Sequence, residues 1–359
     1  MKTDKDNVIK ALKHVIEPDL KQDIVKLEFV KNIEIENNVI KTEVMVKNPA
    51  MHNRKRMKEA CIHQLERFLG DGFQYKVSVI AAPAEPEQET RQILQGVKNI
   101  IAIASGKGGV GKSTITANIA AGLANRGFSV GIIDADIYGP SMPIMFGVQD
   151  KKPGIVDEED KNLMLPVIGY DVKIMSIGFF AGSDQAVAWR GPMASKALSQ
   201  LFSDVQWGNL DYLFIDLPPG TGDIHLTLVQ GTPLTGAIVV STPQSVALAD
   251  ARKSIAMFKM PSIEIPIIGI VENMAWFSPE ELPDNKYYIF GNGGAKALSK
   301  ETGIPLLGQV PLIQSIRESG DTGKPLITQQ DNIQSHEFEN LLDNVLKNIP
   351  AQNPIGEKD

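Results

Sequence analysis

The stretch Ser105-Gly106-Lys107-Gly108-Gly109-Val110-Gly111-Lys112-Ser113-Thr114 decides how this chain folds. It contains G-x-x-x-x-G-K-[ST], from Gly106 through Gly111 and Lys112 to Ser113. The almost wholly apolar run Asn99–Ala104 precedes it and reads as a buried strand. An amphipathic run follows, with Ile115, Ile119 and Leu123 four apart on one face and Gly127 as a helix stop. Strand, glycine loop and helix are together the context in which this pattern holds phosphate. The glycines let backbone N–H groups converge on an anion, and the helix N-terminus adds partial positive charge. Gly106–Thr114 is therefore the candidate nucleotide-binding loop. Lys112 is placed to reach β- and γ-phosphates, and the Ser113 hydroxyl suits Mg²⁺.

Two further runs belong with the loop. Ile132-Ile133-Asp134-Ala135-Asp136 is an apolar strand ending in two carboxylates. Leu213-Phe214-Ile215-Asp216 is another, and continues as Leu217-Pro218-Pro219-Gly220-Thr221-Gly222-Asp223. Taken alone, each is equally consistent with a strand-end turn. Beside a phosphate loop, Asp134 or Asp216 is a candidate to hold Mg²⁺ through its waters. The rigid Pro-Pro-Gly is a candidate γ-phosphate switch.

The chain has 359 residues, which predicts two domains. A formal net charge of −7 argues against broad binding to nucleic acid or anionic membrane. The single cysteine, Cys61, excludes an intrachain disulfide and fits a reducing cytoplasm. No run approaches the ~18 apolar residues of a membrane span.

Residues 4–16 read as a helix with Val8, Ile9, Leu12, Val15 and Ile16 on one face, stopped at Glu17-Pro18-Asp19. Ile33-Glu34-Ile35 and Val44-Met45-Val46 flank the polar turn Glu36-Asn37-Asn38, a hairpin pattern. Helical spacing returns over 53–69, with Met57, Cys61, Leu65 and Phe68 on one face, and Tyr75–Ala82 is a last strand. This predicts a small α+β domain over residues 1–83. A linker rich in Pro, Glu and Gln spans 84–97, and a tail runs over 351–359. Residues 98–350 alternate strands and helices, with strands expected at 99–104, 129–134, 171–177, 211–216, 236–241, 266–271 and 306–310. That predicts a doubly wound α/β domain with a mostly parallel sheet and its ligand at the C-terminal strand ends.

Lys107, just after the first glycine, makes the loop G-K-G-G-V-G-K-S-T. This resembles the deviant Walker A loop of the MinD/ParA/nitrogenase-iron-protein class of NTPases. The resemblance implies ATP hydrolysis with Lys107 reaching a partner subunit's nucleotide, hence a homodimer, and Asp136 orienting the attacking water. With Lys112, these are the candidate catalytic residues. Trp189-Arg190-Gly191-Pro192-Met193, S-T-P-Q at 241–244, V-E-N-M at 271–274, I-F-G at 289–291 and L-L-G-Q-V-P-L at 306–312 narrow it further. They resemble the Mrp/ApbC family of iron–sulfur cluster carrier ATPases over nearly all of 98–350. By that resemblance Asn273 reads the base and Pro311 packs near it, and the partners are iron–sulfur assembly or client proteins. The N-terminal segment, with V-I-E-P-D-L and the Asn48-Pro49-Ala50 turn, resembles the small MIP18-type domain often fused to such factors.

The chain departs from that family in one respect. Between N-M and I-F-G the family keeps a C-P-x-C pair whose thiolates, from two subunits, hold a bridging [4Fe–4S] cluster. This chain has Ala275-Trp276-Phe277-Ser278-Pro279-Glu280-Glu281-Leu282 there, with no cysteine. An iron–sulfur cluster is implied by the family, yet its ligands are not evident. Glu280 and Glu281 are hard donors, poor substitutes for thiolates. Two other readings stay open: a positioning ATPase of the MinD/ParA kind, and an ATP-switched scaffold without turnover. Residues 336–349 are amphipathic but carry Glu337, Glu339 and Asp343 against Lys347, which suits docking onto the domain rather than onto lipid.

Overall fold

The computed structural model describes residues 4–17, 22–36, 38–46, 51–81, 94, 96–158, 161–180, 191–279, 281–282, 284–329 and 335–350. The Pro18-Asp19 stop, the turn at 48–50, most of the 84–97 linker, Trp189-Arg190, Glu280 and the 351–359 tail lie outside them. The chain divides into two compact units, Met1–Arg91 and Gln92–Asp359.

The first unit runs α1 (Lys5–Leu12), β1 (Val30–Glu36), β2 (Val39–Val46), α2 (Met51–Leu69) and β3 (Gln74–Ala81). Its sheet has the order β1-β2-β3, antiparallel then parallel. Asp4 caps α1 by accepting from the Asn7 N–H at 3.0 Å. The helix ends at Leu12 rather than at residue 16, because the chain beyond it enters pairing. The Ile24 N–H donates to the Val15 carbonyl, and Ile16 bridges to Asp23. Met57, Cys61 and Leu65 are buried as their spacing predicts. Phe68 instead stays half exposed and stacks on His14, with ring centres 4.6 Å apart.

The second unit opens with β4 (Val97–Ala104), α3 (Lys112–Asn125), β5 (Val130–Asp134) and α4 (Met142–Met145). Strands β6 (Gly154–Glu158), β7 (Lys161–Leu165), β8 (Val167–Gly169) and β9 (Val172–Ser176) follow, then α5 (Gly191–Ser203). The chain continues through β10 (Leu210–Asp216), α6 (Asp223–Gln230), β11 (Gly236–Ser241), α7 (Ser245–Phe258) and β12 (Ile267–Phe277). It closes with α8 (Gly294–Thr302), β13 (Leu306–Leu312), α9 (Gln314–Asp321) and α10 (His336–Asn348). The sheet order is β13-β12-β11-β4-β10-β5-β9-β8, parallel except for β8. The strands at its centre are buried along nearly their whole length, which is what apolar runs without alternation require.

Two features go beyond the sequence pattern. The hairpin β6–β7 lies outside the main sheet. Strand β12 continues past Glu272 to Phe277 by way of a bulge, where Met274 takes φ 54°. Helix α10 buries Phe338, Leu341, Leu342 and Val345. Its acidic face is held by Arg126, which pairs with Glu339 and, at 2.8 Å, with Asp343. Among the described residues no helix is long and apolar enough to cross a membrane.

Close packing of β12 on β13 leaves no room at Gly269. A Cβ there would lie 2.4 Å from Leu307 Cγ and 2.8 Å from the Pro305 carbonyl oxygen. Gly269→Ala should cost about 1–3 kcal/mol. It should lower the thermal midpoint of the second unit by roughly 2–4 °C per kcal/mol, measured by calorimetry. An unchanged midpoint would show that the backbones have slack at this crossing.

Candidate active site

The loop leaves the end of β4 and is shaped by glycines with little freedom to change. At Gly106 a Cβ would sit 2.2 Å from the carbonyl carbon and oxygen of Asp250. Gly109 and Gly111 take φ 81° and 80°, the left-handed region open to glycine without strain. Gly111 is also the N-cap of α3 and has no side chain to cap it, so the first N–H groups of that helix face the loop. A cleft of about 230 Å³ is lined by the loop together with Asp136, Gly139, Ser141 and Pro219.

Under the loop lies Asp216, at the end of β10 and fully buried. Its Oδ2 accepts from the Lys112 ammonium at 2.6 Å and from the Ser113 hydroxyl at 2.6 Å. Its Oδ1 accepts from the Thr116 hydroxyl at 2.7 Å. Lys112 is itself 5% exposed, so the pair is nearly dry. Removing one partner of such a pair leaves an uncompensated buried charge, at a cost of about 3–5 kcal/mol. Ser113 Oγ and Asp216 Oδ2 are adjacent hard oxygens, the donor type Mg²⁺ takes.

Asp134 is also fully buried but is engaged differently. Its Oδ2 accepts from the N–H groups of Ser141 and Met142 at 3.0 and 3.1 Å, and from the Ser176 hydroxyl at 2.9 Å. Burial, and then the charge of Asp216, push its pKa up to about 7. Asp134 thus ties the segment that carries Asp136 and α4 to the sheet. Asp136 lies in the cleft with its Oδ1 accepting from the Gly139 N–H at 3.2 Å. Burial raises its pKa, opposed by the nearby Lys112 ammonium. His225, on α6, sits 2.5 Å from the Pro218 carbonyl with its Nε2, and burial lowers its pKa.

A second cleft, of about 430 Å³, adjoins the first through Gly111, Thr114, Ser141 and Met145. Asn273 and Pro311 both line it. Asn273 has another task as well. Its Nδ2 donates to the Val110 carbonyl at 2.8 Å, and a Cβ on Gly111 would meet that nitrogen at 2.1 Å. Beside it, buried Glu272 accepts from Gln309 at 2.6 Å, joining β12 to β13.

The fold therefore gathers the loop, Asp134, Asp136, Asp216, Asn273 and Pro311 at one edge of the sheet. Lys107 is exposed, and among the described residues it makes no ion pair. Thr116, Ser176 and His225 were not foreseen. Thr116 carries a signal, four residues after Lys112 on the same helix face. Ser176 carries none, since only the pairing of β5 with β9 sets it opposite Asp134.

A glycine loop over a buried aspartate, at the C-terminal edge of a doubly wound sheet, defines a P-loop NTPase. The family model for the ParA, NUBPL iron-transfer P-loop NTPase matches residues 96–348, and one for an iron–sulfur cluster assembly protein matches 5–79. The iron–sulfur cluster carrier protein of Synechocystis is 42% identical over 328 residues, covering 90% of this chain and 92% of that protein. The iron–sulfur cluster transfer protein NUBPL of Dictyostelium discoideum is 45% identical over 273 residues, 76% of this chain and 83% of that protein. A nucleotide-binding protein of Archaeoglobus fulgidus, solved in complex with ADP, superposes with a TM-score of 0.59 at 33% identity. That match covers 74% of this chain and 98% of the other. The chain belongs to the NUBPL-type iron-transfer P-loop NTPases, the iron–sulfur cluster carriers.

Asn273 lines the second cleft and bonds the loop, so its loss should be felt where the loop binds nucleotide. Asn273→Ala strands the buried Val110 carbonyl, an unmet hydrogen bond worth about 1–3 kcal/mol. ADP, which lacks the γ-phosphate, should bind roughly 5- to 150-fold more weakly by calorimetric titration. Wild-type ADP affinity in Asn273→Ala would mean that the bond does not hold the loop.

Proposed function

We propose that this chain is a Mg²⁺-dependent ATPase that carries iron–sulfur clusters to assembly or client proteins, working in the cytoplasm as an ATP-closed homodimer. The observation that carries the reading is the buried Asp216 shared by Lys112, Ser113 and Thr116 directly under the glycine loop. Family membership supports the cargo, and the carrier proteins it resembles are named for it.

The roles follow from position. Loop amides from Gly106 to Thr114 and the Lys112 ammonium bind the phosphates. Ser113 and Asp216 hold Mg²⁺, which when bound neutralises phosphate charge. Asp134, which accepts from three donors through Oδ2, positions the Asp136 segment, and the contact of Asp216 with the Ser113 hydroxyl favours Asp216 over Asp134 as the metal's carboxylate. Asp136 orients the attacking water. Asn273 and Pro311 form the base end of the cleft. Lys112 already serves its own subunit's nucleotide, so the free, exposed Lys107 acts on a partner's. Charge stabilisation delivered in trans is worth on the order of 10³-fold or more in rate. A positioning role of the MinD/ParA kind has less support, because the apolar face of α10 is already buried in its own domain.

Lys112→Ala should abolish Mg²⁺-dependent ATP turnover, while Asp136→Asn should keep ATP binding and lose hydrolysis. Steady-state phosphate release and nucleotide titration check both, and full turnover in Lys112→Ala would remove the assignment. Lys107→Ala should bind ATP near normally and hydrolyse it little. Mixed with Lys112→Ala it should regain activity, because its intact loop then receives the partner's Lys107. If mixed dimers form and stay inactive, Lys107 does not act in trans.

A further inference from the structure

The carrier reading above leaves open what holds the cargo. A [4Fe–4S] cluster takes four thiolates. This chain has one cysteine, so a homodimer brings two thiols. Cys61 lies on α2 with no exposed surface, packed in the core of the first unit with Val8, Leu12, Ile40 and Leu65. Burial pushes its thiol up to about 12, away from the thiolate form that ligates metal. Among the described residues no group of three or more His, Cys, Asp or Glu side chains is gathered to hold a metal ion.

The segment after β12 offers no thiolate in their place. At the spacing of the family's C-P-x-C pair stand Ser278 and Glu281, with the proline kept as Pro279. A hydroxyl and a carboxylate are hard donors, mismatched to iron–sulfur chemistry. The chain around them is closed by its own contacts. Phe277 and Tyr287 exchange both backbone hydrogen bonds, at 2.8 and 2.9 Å. The Lys286 ammonium lies 3.8 Å from the centre of the Trp276 ring, a cation–π contact that occupies the aromatic face. Ala275 and Trp276 are 1% and 9% exposed, so the start of the segment is fixed in the fold.

We propose that a [4Fe–4S] cargo handled by this chain is ligated by thiolates of a second molecule, and that the chain's own side chains supply none. Nucleotide hydrolysis and cluster ligation, joined in one polypeptide where the cysteine pair is present, are here divided between two. The chain provides the ATP-dependent step, and the molecule it works on provides the sulfur ligands.

The test is anaerobic reconstitution of the full chain with equal amounts of Fe²⁺ and Fe³⁺ and with sulfide, with no added thiol, followed by desalting, iron and sulfide counting and absorbance. ATP turnover is measured on the same samples, so failure of the ATPase reading shows separately from failure of this one. Wild type and Cys61→Ser should both retain less than about one iron per dimer. Ser278→Cys/Glu281→Cys, which places four thiols in the dimer at the family's spacing, should retain about four irons with matching sulfide, the four-thiolate centre. Wild type or Cys61→Ser that keeps about four irons and four sulfides per dimer would overturn the proposal. So would a folded double-cysteine variant that gains none, because the segment would then not be where the ligands were lost.

Discussion

The second unit depends on one buried carboxylate. Asp216 ends the strand between β4 and β5, and three side chains of the loop–helix junction converge on it. A charge without solvent survives in a fold only when it is paired and hydrogen-bonded. Lys112, Ser113 and Thr116 meet that requirement, and in doing so they pin the first turn of α3 over the sheet edge. The glycine loop takes its position from this pin at one end and from the Asn273 bond to the Val110 carbonyl beside it. At the other end it is fixed by the tight approach of Gly106 to Asp250. On the proposed function the pin is also where the chemistry sits, since an ammonium and a hydroxyl such as those of Lys112 and Ser113 are the groups that phosphate and Mg²⁺ take. Phosphates entering the loop would then compete with Asp216 for the same ammonium.

From this point the remaining parts are ordered outward. Asp134, one strand away, uses its carboxylate to fasten the turn after β5, which brings Asp136 to the cleft. On the other side Asn273 fastens the Val110 carbonyl, and the bulge at Met274 follows at once. Strand β12 therefore touches the nucleotide loop at Asn273 and the closed segment around Phe277 and Tyr287 four residues later.

Much of this was legible in the sequence because the residues carry their own chemistry. A run such as Ile132-Ile133-Asp134, between turn signals, reads as a strand buried on both faces with a polar end. The glycine loop needs strand and helix on either side, and both are there. The rest depended on contacts between distant residues. The continuation of β12 was hidden because Glu272 and Asn273 interrupt the apolar run, and Glu272 is buried because Gln309 and the Ala295 N–H both donate to it. The end of α1 was set by pairing of residues 15 and 16 with 23 and 24, which no helical periodicity reports. The different partners of Asp134 and Asp216 had the same origin. Both end apolar strands, and the placement of Ser176 and the α4 turn on one side and of Lys112, Ser113 and Thr116 on the other distinguishes them.

The central claim is that Asp216 couples the glycine loop to the metal. The most direct measurement is calorimetric titration of ATP into wild type and folded Asp216→Asn, each with and without Mg²⁺. The account predicts that Mg²⁺ tightens ATP binding in wild type and that this tightening is lost in Asp216→Asn. An equal Mg²⁺ effect in the two proteins would contradict it, and would move the metal's carboxylate elsewhere in the cleft.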